Sequence, residues 1–220
     1  MIVAFSTQID NNWIIKYNIE VAQLISQKLS IGNPPSLTSL NPKKHLAPNE
    51  APYIHRRYTG PGNAVILFTH GDEEYIYYGD ATDMTERYRL NAREFCQIYS
   101  RINGIHDLPL ILISCNSGRM NLAQSISNIL GITVIAPQSC TIFSSRGLTT
   151  VNRQDEEAVS DEQEILEAHL PRYSSREIFD NLTDYVIGNN YGQFVSWNNI
   201  FNALEQYADL GLVRYEPHPM

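Results

Sequence analysis

The sequence predicts an α/β protein with a mostly parallel central sheet and helices on both faces. Three observations lead there. Ile2–Phe5, Ala64–Thr69, Leu108–Ser114 and Ile132–Ala136 are short apolar runs of the kind buried on both sides in parallel sheets. Segments with apolar residues at helical spacing separate them, so strand and helix alternate. A length of 220 residues suits one such domain with elaborations.

Each element has its own warrant. Ile15, Ile19, Ala22, Ile25 and Leu29 stripe one face of a helix over Trp13–Leu29, stopped by Gly32, Pro34 and Pro35. Residues 33–63 form a connection with six prolines, long enough to be functional or to hold further short strands. Its basic group (Lys43, Lys44, His45, His55, Arg56 and Arg57) reads as solvated charge, with an anion or substrate contact as the alternative. After the second strand, Glu74–Tyr78 reads as a hairpin arm with Gly79-Asp80 as its turn. Asn91–Ile102 is a helix closed by Asn103-Gly104, with Cys96 as a packed thiol on it. Leu122–Leu130 is the next helix, with Leu122, Ile126, Ile129 and Leu130 inward and Gly131 as its stop; Pro137 ends the fourth strand. Thr141–Phe143 and Leu148–Val151 suggest a hairpin, and Asp155–Glu167 a solvated acidic helix or mobile stretch. Ile178–Ile187 and Trp197–Tyr207 carry helical spacing before a polar tail. The expected division is a core over residues 1–152, with 153–220 as an acidic segment and helical extension packed on it.

Composition narrows the function classes. A net charge of −8 with no long Lys/Arg run argues against nucleic acid and anionic membrane as partners. No stretch approaches the length of a membrane span, and MIVAFSTQIDNNW lacks the basic start of a signal peptide. Cys96, Cys115 and Cys140 make no even disulfide set and no C-x-x-C. Reduced thiols in a cytoplasmic setting are expected, or delivery into another cell without a classical signal peptide. The histidines at 45, 55, 106, 169 and 218 show no zinc spacing, and no glycine-rich nucleotide loop occurs. No cofactor and no metal are expected.

The chemistry gathers at two strand ends. In open parallel sheets, reactive groups lie beyond the carboxyl ends of the strands. The second strand ends at His70-Gly71 and the third at Cys115. A thiolate is a strong nucleophile, an imidazole can take the thiol proton, and a helix starting soon after the cysteine favours the anion. The backbone N–H of Gly71 is a candidate to join that of Cys115 in an oxyanion hole, a device whose loss typically costs about 3 kcal/mol. A buried cysteine is often only a small hydrophobe; the matched His-Gly strand end favours catalysis over that reading. Other thiol and hydrolase patterns fail at named positions. Arg119 follows Cys115 after three residues where a phosphatase loop needs five, and Ile113 and Ser117 stand where the α/β-hydrolase elbow needs glycines.

With VILFTHGD and LILISC in place, the chain resembles the caspase-like (clan CD) cysteine peptidases. It is most similar to the autoprocessing cysteine protease domains of large bacterial toxins, through DEEYIYYGD, Cys115-Asn116 and ITVIAPQSCTIFSSRG. The resemblance spans residues 64–150. It implies a caspase-like three-layer sandwich and a thiol endopeptidase with a His70–Cys115 dyad and Gly71 in the oxyanion hole, acting on a protein or peptide substrate. The enzyme would be a free-standing effector or toxin-type protease. Some relatives orient the histidine with an acid, for which Asp10 is the nearby candidate. The toxin domains are activated by inositol hexakisphosphate through a Lys/Arg-rich pocket. Here the matching region holds only Arg146 and Arg153, besides the basic group at 43–57, so inositol polyphosphate activation is not expected. Asp72, Asp80 and Asp83 are candidates for an acidic specificity pocket, or plain loop carboxylates. Cys140 is a groove residue or a packed thiol. Two alternatives stand beside the peptidase: a catalytically silent caspase-like interaction module, and a thiol hydrolase of small esters or amides using His169 or His218.

Overall fold

The structure, a computed structural model, describes residues 2–5, 37–40, 64–77, 89–100, 107–144, 146–196 and 211–219. The four apolar runs become members of one sheet. Strand β1 (Ile2–Phe5) pairs in parallel with β2 (Leu37–Leu40) on one side and β3 (Val65–Phe68) on the other. The 33–63 connection therefore does contain a strand. A small antiparallel sheet follows, made of β4 (His70–Gly71), β5 (Ile76–Tyr77) and β6 (Arg89–Leu90). Next, β7 (Leu110–Ile113) lies beside β3 and β8 (Val134–Pro137) beside β7, both parallel. Strands β9 (Thr141–Phe143), β10 (Gly147–Val151) and β11 (Gly192–Ser196) form a third, antiparallel sheet in the order β11-β10-β9. Strand β12 (Leu212–Tyr215) closes the central sheet antiparallel to β8, giving the order β12-β8-β7-β3-β1-β2.

Side-chain alternation divides the central strands between two layers. Val65, Leu67, Leu110, Leu112, Val134 and Ala136 face helices α1 (Ala92–Tyr99) and α2 (Leu122–Leu130), meeting Phe95, Ile98, Leu122 and Ile126. Ile66, Ile111, Ile113 and Ile135 face the opposite way. There they meet Val159 of α3 (Glu156–Ala168), Phe179, Leu182 and Val186 of α4 (Ser175–Gly188), and Ile142, Leu148 and Val195 of the β9–β11 sheet. Every residue of β7 and β8 is buried, which is why these strands carry no polar alternation. The result is the expected three-layer α/β sandwich. Among the described residues, no helix is long and apolar enough to cross a membrane.

Local signals account for the helix ends. Asn91 accepts from the Glu94 N–H and Glu94 reaches back to the Asn91 N–H, a capping box that starts α1; Ser174 and Glu177 repeat it at α4. Gly131 ends α2 at a φ of 68°, where a side chain would be strained.

Several expectations need correcting. Ile129 is 51% exposed: the inward stripe of α2 is Leu122, Ala123, Ile126 and Ser127, and Ile129 stands about a quarter turn off it. Pro137 does not stop β8 from pairing, since it is the strand's last residue and sits opposite Leu212. The hairpin arm reduces to Ile76–Tyr77, and its near turn is made by Asp72–Tyr75. The tail is not merely a polar loop, because Leu212–Tyr215 completes the central sheet. The acidic segment is a regular helix, α3. The helices expected over 13–29 and 197–207, the Asn103-Gly104 stop and the Gly79-Asp80 turn lie outside the described residues.

Leu112 is wholly buried between the sheet and the α1–α2 layer. We expect Leu112→Ala to lower unfolding stability by about 2–5 kcal/mol. In urea denaturation this would read as a lower midpoint with an unchanged slope.

Candidate active site

Strands β3 and β7 pair in register from Val65↔Leu110 to Phe68↔Ile113. The ladder runs one residue further, since the Thr69 N–H donates to the Ile113 carbonyl at 3.1 Å. Two residues past the last pair on each strand come His70 and Cys115. The two sequence-predicted residues thus follow neighbouring strands at the same backbone level, at the carboxyl ends of the central strands.

His70 and Gly71 are held from the other side as well. They form β4, with His70 opposite Tyr77 and Gly71 opposite Ile76. Thr69 Oγ1 donates to the Tyr77 carbonyl at 2.7 Å, tying the end of β3 to the hairpin. A Cβ on Gly71 would overlap Ser114 Oγ and stand 2.7 Å from the Tyr75 carbonyl. Only glycine allows this close approach to the residue preceding Cys115. His70 is half-buried, and its Nε2 is a buried atom without a hydrogen-bond partner. Burial pushes its imidazole below the ordinary value, so the ring is neutral near pH 7.

The turn after Cys115 is fixed by the neighbouring strand. Asn116 takes a φ of 58°, the left-handed region that asparagine tolerates better than most residues. Its N–H donates to the Ser139 carbonyl at 3.1 Å, and that of Gly118 to Pro137 at 2.8 Å. A Cβ on Gly118 would stand 2.8 Å from the Ala136 carbonyl, and the Tyr215 hydroxyl donates to the Gly118 carbonyl. The cysteine is therefore anchored between β7, the end of β8 and β12.

Two residues not singled out as site members set the state of the thiol. The Thr141 N–H donates to Cys115 Sγ at 3.3 Å, with the Thr141 hydroxyl 3.8 Å away. Cys140 is the next neighbour, and Asn116 Nδ2 donates to its Sγ at 3.7 Å. The Cys140 hydrogen bond, then those from Thr141, hold the Cys115 thiol well below its ordinary range, against burial and the Glu156 carboxylate. Cys140 is pushed up, because it keeps its proton to donate to Cys115. Glu156 Oε1 accepts the Cys140 N–H at 3.2 Å, fixing the start of α3 beside the pair. The expected support from a helix N-terminus is replaced by these contacts, since α2 begins seven residues after Cys115. Cys140 lies just past β8, the strand beside β7, and that adjacency was the available sequence signal.

Other candidates fall elsewhere. Both oxygens of Asp72 are committed within its own hairpin: Oδ1 accepts the N–H groups of Glu74 and Tyr75, each at 2.7 Å, and Oδ2 the Tyr77 hydroxyl. His169 is exposed at the far end of α3, about 20 Å along the helix from Glu156, with Nδ1 on the Ile165 carbonyl. The His218 N–H bonds Asn128 near the end of α2, toward the amino ends of the strands. Cys96 is a core thiol on α1. Asp10, Asp80, Asp83 and the basic group at 43–57 lie outside the described residues. A cleft of about 220 Å³ opens nearby between Glu73 and Glu74 of the hairpin and Met120, Asn121 and Leu122 at the start of α2. Neither His70 nor Cys115 lines it.

Because the Cys115 anion is favoured, its reaction with iodoacetamide should persist to a pH well below that of an ordinary thiol, about 8.5. Cys140→Ala removes the leading hydrogen bond and should move the midpoint upward. Cys96, pushed up to about 12 by burial, should remain unlabelled at neutral pH. Alkylation rates against pH, read peptide by peptide in a mass spectrometer, check all three; an ordinary midpoint for Cys115 would contradict the hydrogen-bond account.

No curated protein matches the sequence. Among solved structures, the fold is similar to a secreted C11 cysteine protease from Bacteroides thetaiotaomicron, determined in complex with an irreversible peptide inhibitor. That similarity has a TM-score of 0.36 at 8% identity and covers 89% of this chain and 88% of that one. The sequence matches the family described as Domain of unknown function (DUF8616) over residues 38–151, which runs from β2 to β10 and takes in both His70 and Cys115. That span is just over half of the chain, and the protein belongs to the DUF8616 family.

Proposed function

We propose that the protein is a cysteine endopeptidase in which Cys115 is the nucleophile and His70 the proton carrier. The observation that carries this is the shared register of β3 and β7, from which the chain leaves at His70 on one strand and at Cys115 on the next, two residues past the last pair on each. The electrostatics support it. A neutral imidazole with a free buried Nε2 can accept a proton, and a thiol held by Thr141 and Cys140 gives one up readily.

The reaction follows from these groups. The Cys115 proton passes to His70 Nε2 as the sulfur attacks the scissile carbonyl carbon. The carbonyl oxygen becomes an oxyanion, for which the backbone N–H groups of Gly71 and Cys115 are the assigned donors. The C–N bond then breaks, and His70 returns the proton to the leaving amine. Water, losing a proton to His70, attacks the thioester, and the thiol leaves with that proton.

A peptidyl chloromethyl ketone should alkylate Cys115 in the wild type and fail to label Cys115→Ala. With His70→Ala, labelling and peptide cleavage should slow by about 10²–10⁴-fold. Proteome-wide mapping of new N-termini in lysate, wild type against Cys115→Ala, identifies the protein substrates. Labelling that bypasses Cys115, or an undiminished rate in His70→Ala, rules the dyad out.

A further inference from the structure

The raised acidity of Cys115 owes most to a second cysteine, Cys140, that the peptide chemistry does not consume. The two residues occupy adjoining chain segments crossed by hydrogen bonds on either side. The Asn116 N–H donates to the Ser139 carbonyl at 3.1 Å, and the Thr141 N–H to Cys115 Sγ at 3.3 Å. The side chain of Asn116, next to Cys115, reaches the second sulfur, its Nδ2 donating to Cys140 Sγ at 3.7 Å. Both side chains are half-buried, whereas Cys96 is enclosed on α1 with its sulfur 4.0 Å from the Ile126 carbonyl. The backbone of Cys140 is held independently of its sulfur, its carbonyl accepting the Val151 N–H at 2.9 Å and its N–H bonding Glu156 at 3.2 Å. The Cys140 segment is thus held beside that of Cys115 by a fixed frame.

We propose that Cys115 and Cys140 form a reversible intramolecular disulfide, with Cys115 as the peroxide-reactive thiol and Cys140 as its resolving partner. The claim that this disulfide switches an activity off rests on the peptidase assignment above; the disulfide itself does not. In the first step the Cys115 thiolate attacks the distal oxygen of a hydroperoxide. The O–O bond breaks, the alcohol or water leaves with a proton, and Cys115 becomes a sulfenic acid. The Cys140 sulfur, losing its proton, then displaces the sulfenic oxygen as water and the S–S bond forms. Two electrons have passed to the peroxide, and a dithiol reductant returns them by exchange. The disulfide removes the nucleophile while sparing it from irreversible sulfinic and sulfonic oxidation.

The test treats the purified chain with hydrogen peroxide, caps free thiols with iodoacetamide, and maps tryptic peptides by mass spectrometry. Peptide 102–119, which holds Cys115, should be found cross-linked to peptide 120–146, which holds Cys140, with the cross-link lost after dithiothreitol. Chloromethyl ketone labelling of Cys115 should disappear and return in step. In Cys140→Ser no cross-link forms, Cys115 proceeds to the sulfinic acid, and dithiothreitol no longer restores labelling. Cys140 still fully alkylated by iodoacetamide after peroxide overturns the proposal, whatever has happened at Cys115, and so does a cross-link through Cys96. If Cys140→Ser does not fold, the wild-type peptide map decides alone. A cross-link in a chain that cleaves no peptide would uphold the disulfide and remove the peptidase.

Discussion

The fold depends on the register of β3 against β7. Both strands are covered by helices on one face and by the α3–α4 and β9–β11 layer on the other. A slip of one residue would exchange the side chains of the two layers, placing Ile66 and Ile111 where Val65 and Leu110 pack and leaving the helical stripes against the wrong shapes. That two-sided burial locks the pairing from Val65↔Leu110 to Phe68↔Ile113. Locked strands have locked ends. The level at which His70 and Cys115 leave the sheet is a consequence of the core, not of contacts made at the site.

Opposing effects meet at the Cys115 sulfur, and their balance is informative. Burial and the Glu156 carboxylate favour the neutral thiol, while the Cys140 and Thr141 donors favour the anion, and the donors win. Hydrogen bonds to an ionised group are roughly twice as strong as neutral ones, and they strengthen where water is excluded. The anion is therefore supported by short-range contacts from the β8–β9 connection. A salt bridge to the imidazole is not needed for this, which fits a His70 ring that burial keeps neutral.

How much of this was legible in the sequence depended on whether the signal was local. The parallel strands β1, β3, β7 and β8 could be read because every residue in them is apolar, whereas β2, with Thr38 and Ser39, could not; His70 and Cys115 stood out because each ends such a run. Helix α2 and its Gly131 stop were equally plain, although Ile129 was misplaced because spacing by three and four does not fix the centre of the buried stripe. Strands β11 and β12 were hidden: Gly192–Ser196 and Leu212–Tyr215 are short and only partly buried, and they are strands because a partner edge is waiting for them. Cys140 was left open between groove residue and packed thiol, and Thr141 was passed over, for the same reason. Their meaning lies in a backbone crossing between 116 and 139 that no periodicity encodes.

One feature of the carboxyl edge sets it apart from the packing around it. Polar atoms buried in native proteins are nearly all hydrogen-bonded. Yet, among the described residues, His70 Nε2, Ser114 Oγ and Asn116 Oδ1 are buried without partners at the ends of β3 and β7, as are Tyr99 Oη and Thr149 Oγ1 elsewhere. Neighbouring groups are fully engaged: Thr69 Oγ1 bonds Tyr77, Ser117 Oγ bonds Ser114 at 2.8 Å, and Asp72 uses both oxygens. A core selected for stability alone would satisfy these three atoms or replace them with apolar ones, since each unsatisfied group costs about 1–3 kcal/mol. Their concentration where two strand ends, a strained Asn116 and a depressed thiol coincide is what a site built to receive a polar ligand requires. Under the function proposed above, the carbonyl and amide groups of an extended peptide would supply the missing partners.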